Sequence, residues 1–211
     1  MSFIAAPFWL RRWGLILVVV ALPTACSLSS GDSGGFELWA PPLSCDEGCA
    51  EGWECVGGGC QWRKMLDAVN QVRRQGADCR SEGTFPAAPS LKLAFPLTQA
   101  AQRHANTMAE TGCFSHDGTG EAPCPDGSAC TRIAEAGYLW SAVAENIAIN
   151  MGGVDDVVEQ WLASDGHCKN MLSDRYTELG AGMVRDDEDR TQYVQTFGDP
   201  GDATVDDCHT P

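Results

Sequence analysis

Positive charge is scarce in this chain: 14 lysines and arginines stand against 29 aspartates and glutamates in 211 residues, a formal net charge of −15 at pH 7. A surface of that sign does not attract nucleic acid or anionic headgroups, which excludes both as partners held by charge. Long apolar runs are also lacking. The run from Trp13 to Leu22 is too short to span a bilayer comfortably, but it has the length of a signal-peptide core. No serine sits in a strand-to-helix nucleophile elbow, no His-Glu-x-x-His helix occurs, and Gly57-Gly58-Gly59 lies among cysteines rather than after a strand. The usual hydrolase and nucleotide-binding signatures are therefore missing.

Cysteine, by contrast, is plentiful, with 11 in all. Arg11 and Arg12 precede the apolar run, which ends Leu22-Pro23-Thr24-Ala25-Cys26. A basic start, a short apolar core and a small residue before the cut read as a signal peptide over residues 1–25. The ending resembles a bacterial lipoprotein site, in which Cys26 becomes the lipidated first residue and attaches the chain to a membrane. Pro23 stands where such sites carry an aliphatic residue, so an ordinary signal-peptidase cut is the alternative. A lipid anchor works by burying hydrocarbon and is indifferent to acidic surface charge. Without Cys26, ten cysteines remain, an even number that in an exported chain favours disulfides over metal thiolates or catalytic thiols.

Residues 26–44 are rich in serine, glycine and proline and read as a flexible tether. Residues 45–60 set Cys45, Cys49, Cys55 and Cys60 among glycines with hardly any apolar side chains. Such a stretch cannot build a core, so two disulfides must hold it, in any of three pairings. A zinc knuckle is the rival reading, against which stand the oxidising compartment and the C-x3-C-x5-C-x4-C spacing.

The main domain spans 61–200, followed by a tail over 201–211. Trp62, Leu66, Val69 and Val72 share one face of a helix from Trp62 to Gln75. Leu91 to Phe95 prepares a second helix, Leu97 to Thr111, with Leu97, Ala100, Ala101, His104, Ala105 and Met108 on one stripe and Gly112 ending it. The Gly-, Pro- and Asp-rich stretch from Asp117 to Ala129 is a surface loop, and the nearness of Cys124 to Cys130 suggests a local disulfide. A short helix follows from Ala129 to Ala136, then a buried extended segment from Ala144 to Ile149. A fourth helix starts near Asp156 with Glu159 as capping partner and is interrupted at Gly166. Two strands, Thr177 to Val184 and Thr191 to Phe197, flank the charged turn Arg185 to Arg190, whose acidic tip reads as a solvated face rather than a calcium loop. Helices and strands without regular alternation make an α+β domain, with helices over a central antiparallel sheet.

Three blocks, Phe114-Ser115-His116, Ala144-Glu145-Asn146-Ile147 and the run from Trp161 to His167, in this order resemble the domain of cysteine-rich secretory proteins, antigen 5 and pathogenesis-related 1 proteins. This is the CAP or SCP superfamily, here its bacterial branch. The resemblance covers Trp62 to Gly198 and implies a three-layer α-β-α sandwich. His104-Ala105-Asn106-Thr107-Met108-Ala109 looks like the family's alanine-rich helix. His116 matches its first cleft histidine, and Glu145 its first cleft glutamate. Ser164 stands where many eukaryotic members carry a second glutamate, and Gln192 where they carry a second histidine. Two of four cleft positions are thus filled and two are not. His167 closes a Ser-x-Gly-His block typical of bacterial relatives and lies one turn past Ser164. Cys79 with Cys168 also resembles a pair in those relatives; with Cys124 and Cys130 joined locally, Cys113 and Cys208 remain by elimination.

Three functional readings follow. In the first, the cleft of a cell-envelope or extracellular binding module holds a lipid-like, cell-wall or protein ligand. In the second, His116, Glu145 and His167 with one water form a zinc site whose bound water hydrolyses a substrate, a protease being one such hydrolase. In the third, the domain is a disulfide scaffold whose loop from Cys113 to Cys130 contacts a protein. Against the second stand simpler roles: a structural His116–Glu145 hydrogen bond, His167 as a helix cap or loop brace, His104 as a packing residue and Trp161 as core.

Overall fold

Helix α1, Gln61–Gln75, turns Trp62, Met65 and Val69 inward in a computed structural model of the chain. The structure describes residues 55–56, 59–117, 124–150, 152–203 and 208. The signal peptide, Cys26, the tether, Cys45 and Cys49 lie outside them. Of the small cysteine module, strands β1, Cys55–Val56, and β2, Gly59–Cys60, form an antiparallel pair with Cys55 opposite Cys60. Beyond α1, the short strands β3, Ala77–Asp78, and β4, Thr84–Phe85, pair around a 3-10 turn at Arg80–Glu82.

The central sheet contains β5, Lys92–Leu93; β6, Trp140–Asn150; β7, Glu178–Arg185; and β8, Thr191–Pro200, in the order β5-β7-β8-β6. It is mixed rather than wholly antiparallel as expected, because β5 runs parallel to β7. The cause is local: Lys92 N–H donates to Thr177 O and Ala94 N–H to Leu179 O, both at 3.0 Å, so the lead-in to the next helix docks as a strand. β6 extends four residues ahead of the expected Ala144 start and pairs with β8 along its length, with a register shift between Trp140 and Ala142.

Side-chain alternation divides the two faces. On one face Leu179, Ala181, Met183, Tyr193 and Phe197 meet α1 and helix α4, Val154–Leu162, in a core that includes Trp161. On the other lies helix α2, Phe95–Thr111, whose Ala101, Ala105 and Met108 pack on Ile147 and Val194. Gly180 and Gly182 of β7 make that approach possible: a Cβ at either would overlap α2 backbone at Leu97 or Ala101. Helix α3, Ala129–Glu135, closes the α2 side, with Ile133 packed by Leu97 and Ala100. The result is the expected three-layer α-β-α sandwich.

Helix boundaries differ from expectation at one junction. α4 starts at Val154, so its third residue is Asp156, whose carboxylate accepts from Gly153 N–H at 2.7 Å; the cap lies one turn earlier than the expected Asp156–Glu159 pair. The break comes at Ala163–Ser164 rather than at Gly166, because extended Ser164 (φ −118°, ψ 127°) starts helix α5, Asp165–Leu172, and Gly166 lies within it.

Cys79 is bonded to Cys168, as the family resemblance implied. The other two pairs are exchanged: Cys113 bonds Cys124 and Cys130 bonds Cys208, not Cys124 with Cys130 and Cys113 with Cys208. Cys130 belongs to the first turn of α3 and packs by Ile133 and Trp140 beside Cys208, whereas Cys124 packs with Cys113 against Ala105 and Met108. Closeness in sequence did not mean facing sulfurs.

Candidate functional site

The family-matched residues converge where α2, α3 and β6 meet. His104, on the inward stripe of α2, is fully buried; its Nδ1 lies 2.9 Å from Asp126 Oδ2 and its Nε2 4.0 Å from Glu145 Oε1. Glu145 projects from β6 on the α2 face. Arg132 of α3, also fully buried, donates Nη2 to both Glu145 oxygens, at 2.8 and 2.7 Å. The same guanidinium bonds Gly127 O, reaches His116 O at 3.4 Å and approaches Asp126 Oδ1 at 3.7 Å. His116 completes the set, with Nδ1 3.0 Å from Glu145 Oε1.

The chemistry of this network follows from burial. Desolvation lowers the pKa of His104, reinforced by Arg132 and opposed by Glu145 and Asp126. A neutral His104 carries its proton on Nδ1 and donates it to Asp126, leaving Nε2 without a hydrogen-bond partner among the described residues. Arg132 is then the buried cation facing two carboxylates, so removing it leaves charge unpaired in a dry setting. The side chain of His116 is 45% exposed, against 2% for Glu145. The carboxylate thus lies behind the imidazole, orienting it toward a cavity.

That cavity, of about 560 Å³, has Phe114, Ser115, His116 and Asp117 as one wall, Gln160 and His167 as the other, and Ile147, Ala148 and Ile149 of β6 between them. Burial lowers the pKa of His167, with the charge of His116 as the second cause. α5, which carries His167, is fixed to β6 by amides: Asn146 Nδ2 donates to His167 O at 3.2 Å and to Gln195 Oε1 at 3.1 Å, and Asn170 Nδ2 donates to Asn146 Oδ1 at 2.9 Å.

His116 and His167 therefore share one cavity, with Glu145 adjoining it. Ser164 does not line it; it precedes α5, partly exposed. Gln192 is buried on the same sheet face as Glu145, opposite Ile149, but its Nε2 donates to Asp186 Oδ2 at 2.9 Å at the hairpin turn. The acidic hairpin matches its own cations: Asp186 also accepts from Arg190 Nε, and Asp189 from Arg185, each at 2.9 Å.

As arranged, the expected zinc set of His116, Glu145 and His167 does not assemble. Among the described residues, the group of three metal-ligating side chains with donor atoms within 4.8 Å of one another is His104, Cys124 and Asp126, not that trio. Glu145 has both oxygens occupied by Arg132, and Cys124 is in a disulfide and offers no thiolate. The donor set thus fits neither a zinc site of two histidines and a carboxylate nor a thiolate one.

Two members of the network, Asp126 and Arg132, escape the sequence reading. Periodicity places His104 correctly as buried but casts it as packing alone; its partner Asp126 lies in the loop, and Arg132 in a helix of 7 residues. The one available signal is the arginine directly before the core residue Ile133, since so short a helix has little room for a solvated face.

The profile of the cysteine-rich secretory protein family, CAP, matches residues 66–197. Over 135 residues the chain is 31% identical to the uncharacterized membrane protein YlbC of Bacillus subtilis, covering 64% of this chain and 33% of YlbC. Identity to the uncharacterized protein YkwD of the same organism is 27%, over 64% of this chain and 46% of YkwD. The match thus spans less than half of either curated relative. Among solved structures, an extracellular SCP-domain protein from Bacillus anthracis superposes with a TM-score of 0.52 at 27% identity, covering 65% of this chain and 40% of that one. An outer surface protein of Borrelia burgdorferi shares the fold, with a TM-score of 0.51 at 16% identity over 66% of this chain and 92% of its own. With its profile, its sandwich and its His116–Glu145 pair in agreement, the chain belongs to the cysteine-rich secretory protein (CAP) family.

Proposed function

We propose that this protein is an exported binding module of the cell envelope or extracellular space, held at a membrane through lipid on Cys26, with the cavity beside Glu145 as its ligand seat. One observation carries this reading: Glu145, the carboxylate best placed to act as base or metal ligand, is already bound by Arg132 through both oxygens and by His116 through one, while a cavity of about 560 Å³ opens alongside. Such a volume lies within the range of ligand sites. The ligand classes that fit its mixed walls are lipid-like, cell-wall or protein. Export is supported by the disulfides Cys79–Cys168, Cys113–Cys124 and Cys130–Cys208, which persist in oxidising compartments, and by relatives described as membrane, extracellular or surface proteins.

The test is binding of a fluorescent fatty acid, a soluble peptidoglycan fragment and a library of linear peptides to the full chain and to Ile149→Trp, which fills the cavity. Binding of one class, weakened tenfold or more in a variant that melts at the wild-type temperature, supports the reading. No binding, or binding indifferent to Ile149→Trp, overturns it. Loss of membrane attachment in Cys26→Ser supports the anchor; attachment unchanged in that variant excludes it.

A further inference from the structure

We infer that the cavity takes an extended polypeptide segment, which adds as a strand to the free edge of β6. The inference rests on the reading of the cavity as a ligand seat and names its occupant.

Among the described residues β6 is the terminal strand of the sheet, with β8 on one side only from Ala142 to Asn150. Its backbone polarity follows from the ladder. Gly198 O accepts from Thr177 N–H at 3.0 Å, on the β7 side of β8. By alternation Thr196, Val194 and Gln192 also turn their backbone groups toward β7, while Tyr193 and Gln195 turn theirs toward β6. Their partners there are Ala148 and Asn146, so Glu145, Ile147 and Ile149 direct N–H and C=O away from the sheet. Independent contacts agree: Trp161 Nε1 donates to Ile147 O at 3.2 Å and Asn170 Nδ2 to Glu145 O at 3.4 Å, both from outside the sheet.

Side chains thus engage the outward carbonyls of Glu145 and Ile147, and at Ile149, the next outward residue along the cavity floor, that cover ends. Neither outward group of Ile149 has a hydrogen-bond partner among the described residues. Native sheets commonly protect such an edge with lysine, proline or a bulge, and the stretch Ile147-Ala148-Ile149 has none of these. An incoming strand needs a slot about 4.8 Å from β6, and the cavity lies along those three residues, with walls on both sides.

A lipid or a glycan fits this floor less well, because a row of outward peptide groups is matched best by another peptide backbone. An antiparallel segment whose residue opposite Ile149 exchanges both hydrogen bonds with it leaves the Trp161–Ile147 bond intact. That residue's side chain falls on the α2 side, beside exposed Phe114 and His116, and favours an apolar group. Its two neighbours point toward Gln160 and His167 and favour polar ones. With a net charge of −15, the chain repels acidic segments, so the partner strand is neutral or basic.

The experiment selects binders to the full chain from a displayed library of ten-residue linear peptides, then N-methylates a selected peptide one residue at a time. Strand addition predicts a loss of tenfold or more when the residue that exchanges hydrogen bonds with Ile149 is methylated and none at its two neighbours, slowed amide exchange at Ile149, and a comparable loss in Ile149→Pro, which removes an N–H that no ladder bond uses. Amide exchange in the wild type keeps the test independent of whether that variant folds. Peptides whose binding ignores N-methylation, with no change at Ile149, overturn strand addition but leave the cavity as a ligand seat. A fatty acid or peptidoglycan fragment that binds in an Ile149→Trp-sensitive way where no peptide does overturns the peptide partner alone. If nothing binds, both this inference and the ligand-seat reading fall.

Discussion

The two faces of the sheet are built on opposite principles. Under α1 and α4, large apolar side chains interdigitate: Trp62, Met65, Trp161, Leu179 and Phe197 are each 2% exposed or less. Under α2, small residues bring backbone against backbone, and the space near α3 is given to His104, Arg132, Glu145 and Asp126. The first face is a stabilising core that tolerates exchange of one hydrophobe for another. The second is a polar network in which each group depends on its neighbours, and the cavity opens at its margin. Within this fold, the part beside the proposed ligand seat is the part where removing one atom group strands another.

Arg132→Met puts this contrast under the greatest load. It leaves Glu145 and Asp126 without their buried cation, and urea unfolding should show a loss of about 3–5 kcal/mol, partly recovered when Glu145→Gln is added. A loss below about 1 kcal/mol would put both faces on the same footing. Gly180→Ala comes next. Its Cβ would overlap α2 at Leu97, and the cost should be about 1–3 kcal/mol with ligand binding weakened as the helix shifts. Leu179→Met, on the opposite face, should cost under about 1.5 kcal/mol and leave binding unchanged.

The smallest effect is the pH dependence. The pKa of His104 is lowered in the folded chain, so between the unfolded value near 6.5 and the lower folded value the unfolded chain binds the extra proton. Stability is therefore full above about pH 6.5 and falls as pH drops through that value; His167, shifted the same way, adds to the slope. In His104→Gln the drop between about pH 7 and about pH 5 should shrink. A slope unchanged in that variant would place the titration elsewhere.

Periodicity made the helices legible: the stripe from Leu97 to Met108 and the face from Trp62 to Val72 both predicted real elements to within two residues of their observed starts. The Phe114–His116 and Ala144–Ile147 blocks located the His116–Glu145 contact, now seen at 3.0 Å. What stayed hidden was directional. The exchange of cysteine partners depends on which way the first turn of α3 aims Cys130, a property of the helix start rather than of spacing. Likewise His167 shares the cavity with His116 without joining Glu145, whose two oxygens are bonded by Arg132, and no pattern of apolar residues announces a buried arginine. The edge polarity of β6 depends on ladder phase, which periodicity reports for side chains but not for backbone groups.

We propose Glu145 as a structural anchor beside a ligand seat rather than a metal ligand, and zinc titration calorimetry of the oxidised full chain, beside His116→Ala and His167→Ala, puts that to the test. The expected result is no stoichiometric zinc whose binding depends on both histidines. One zinc per chain, lost in each variant alike, would contradict it.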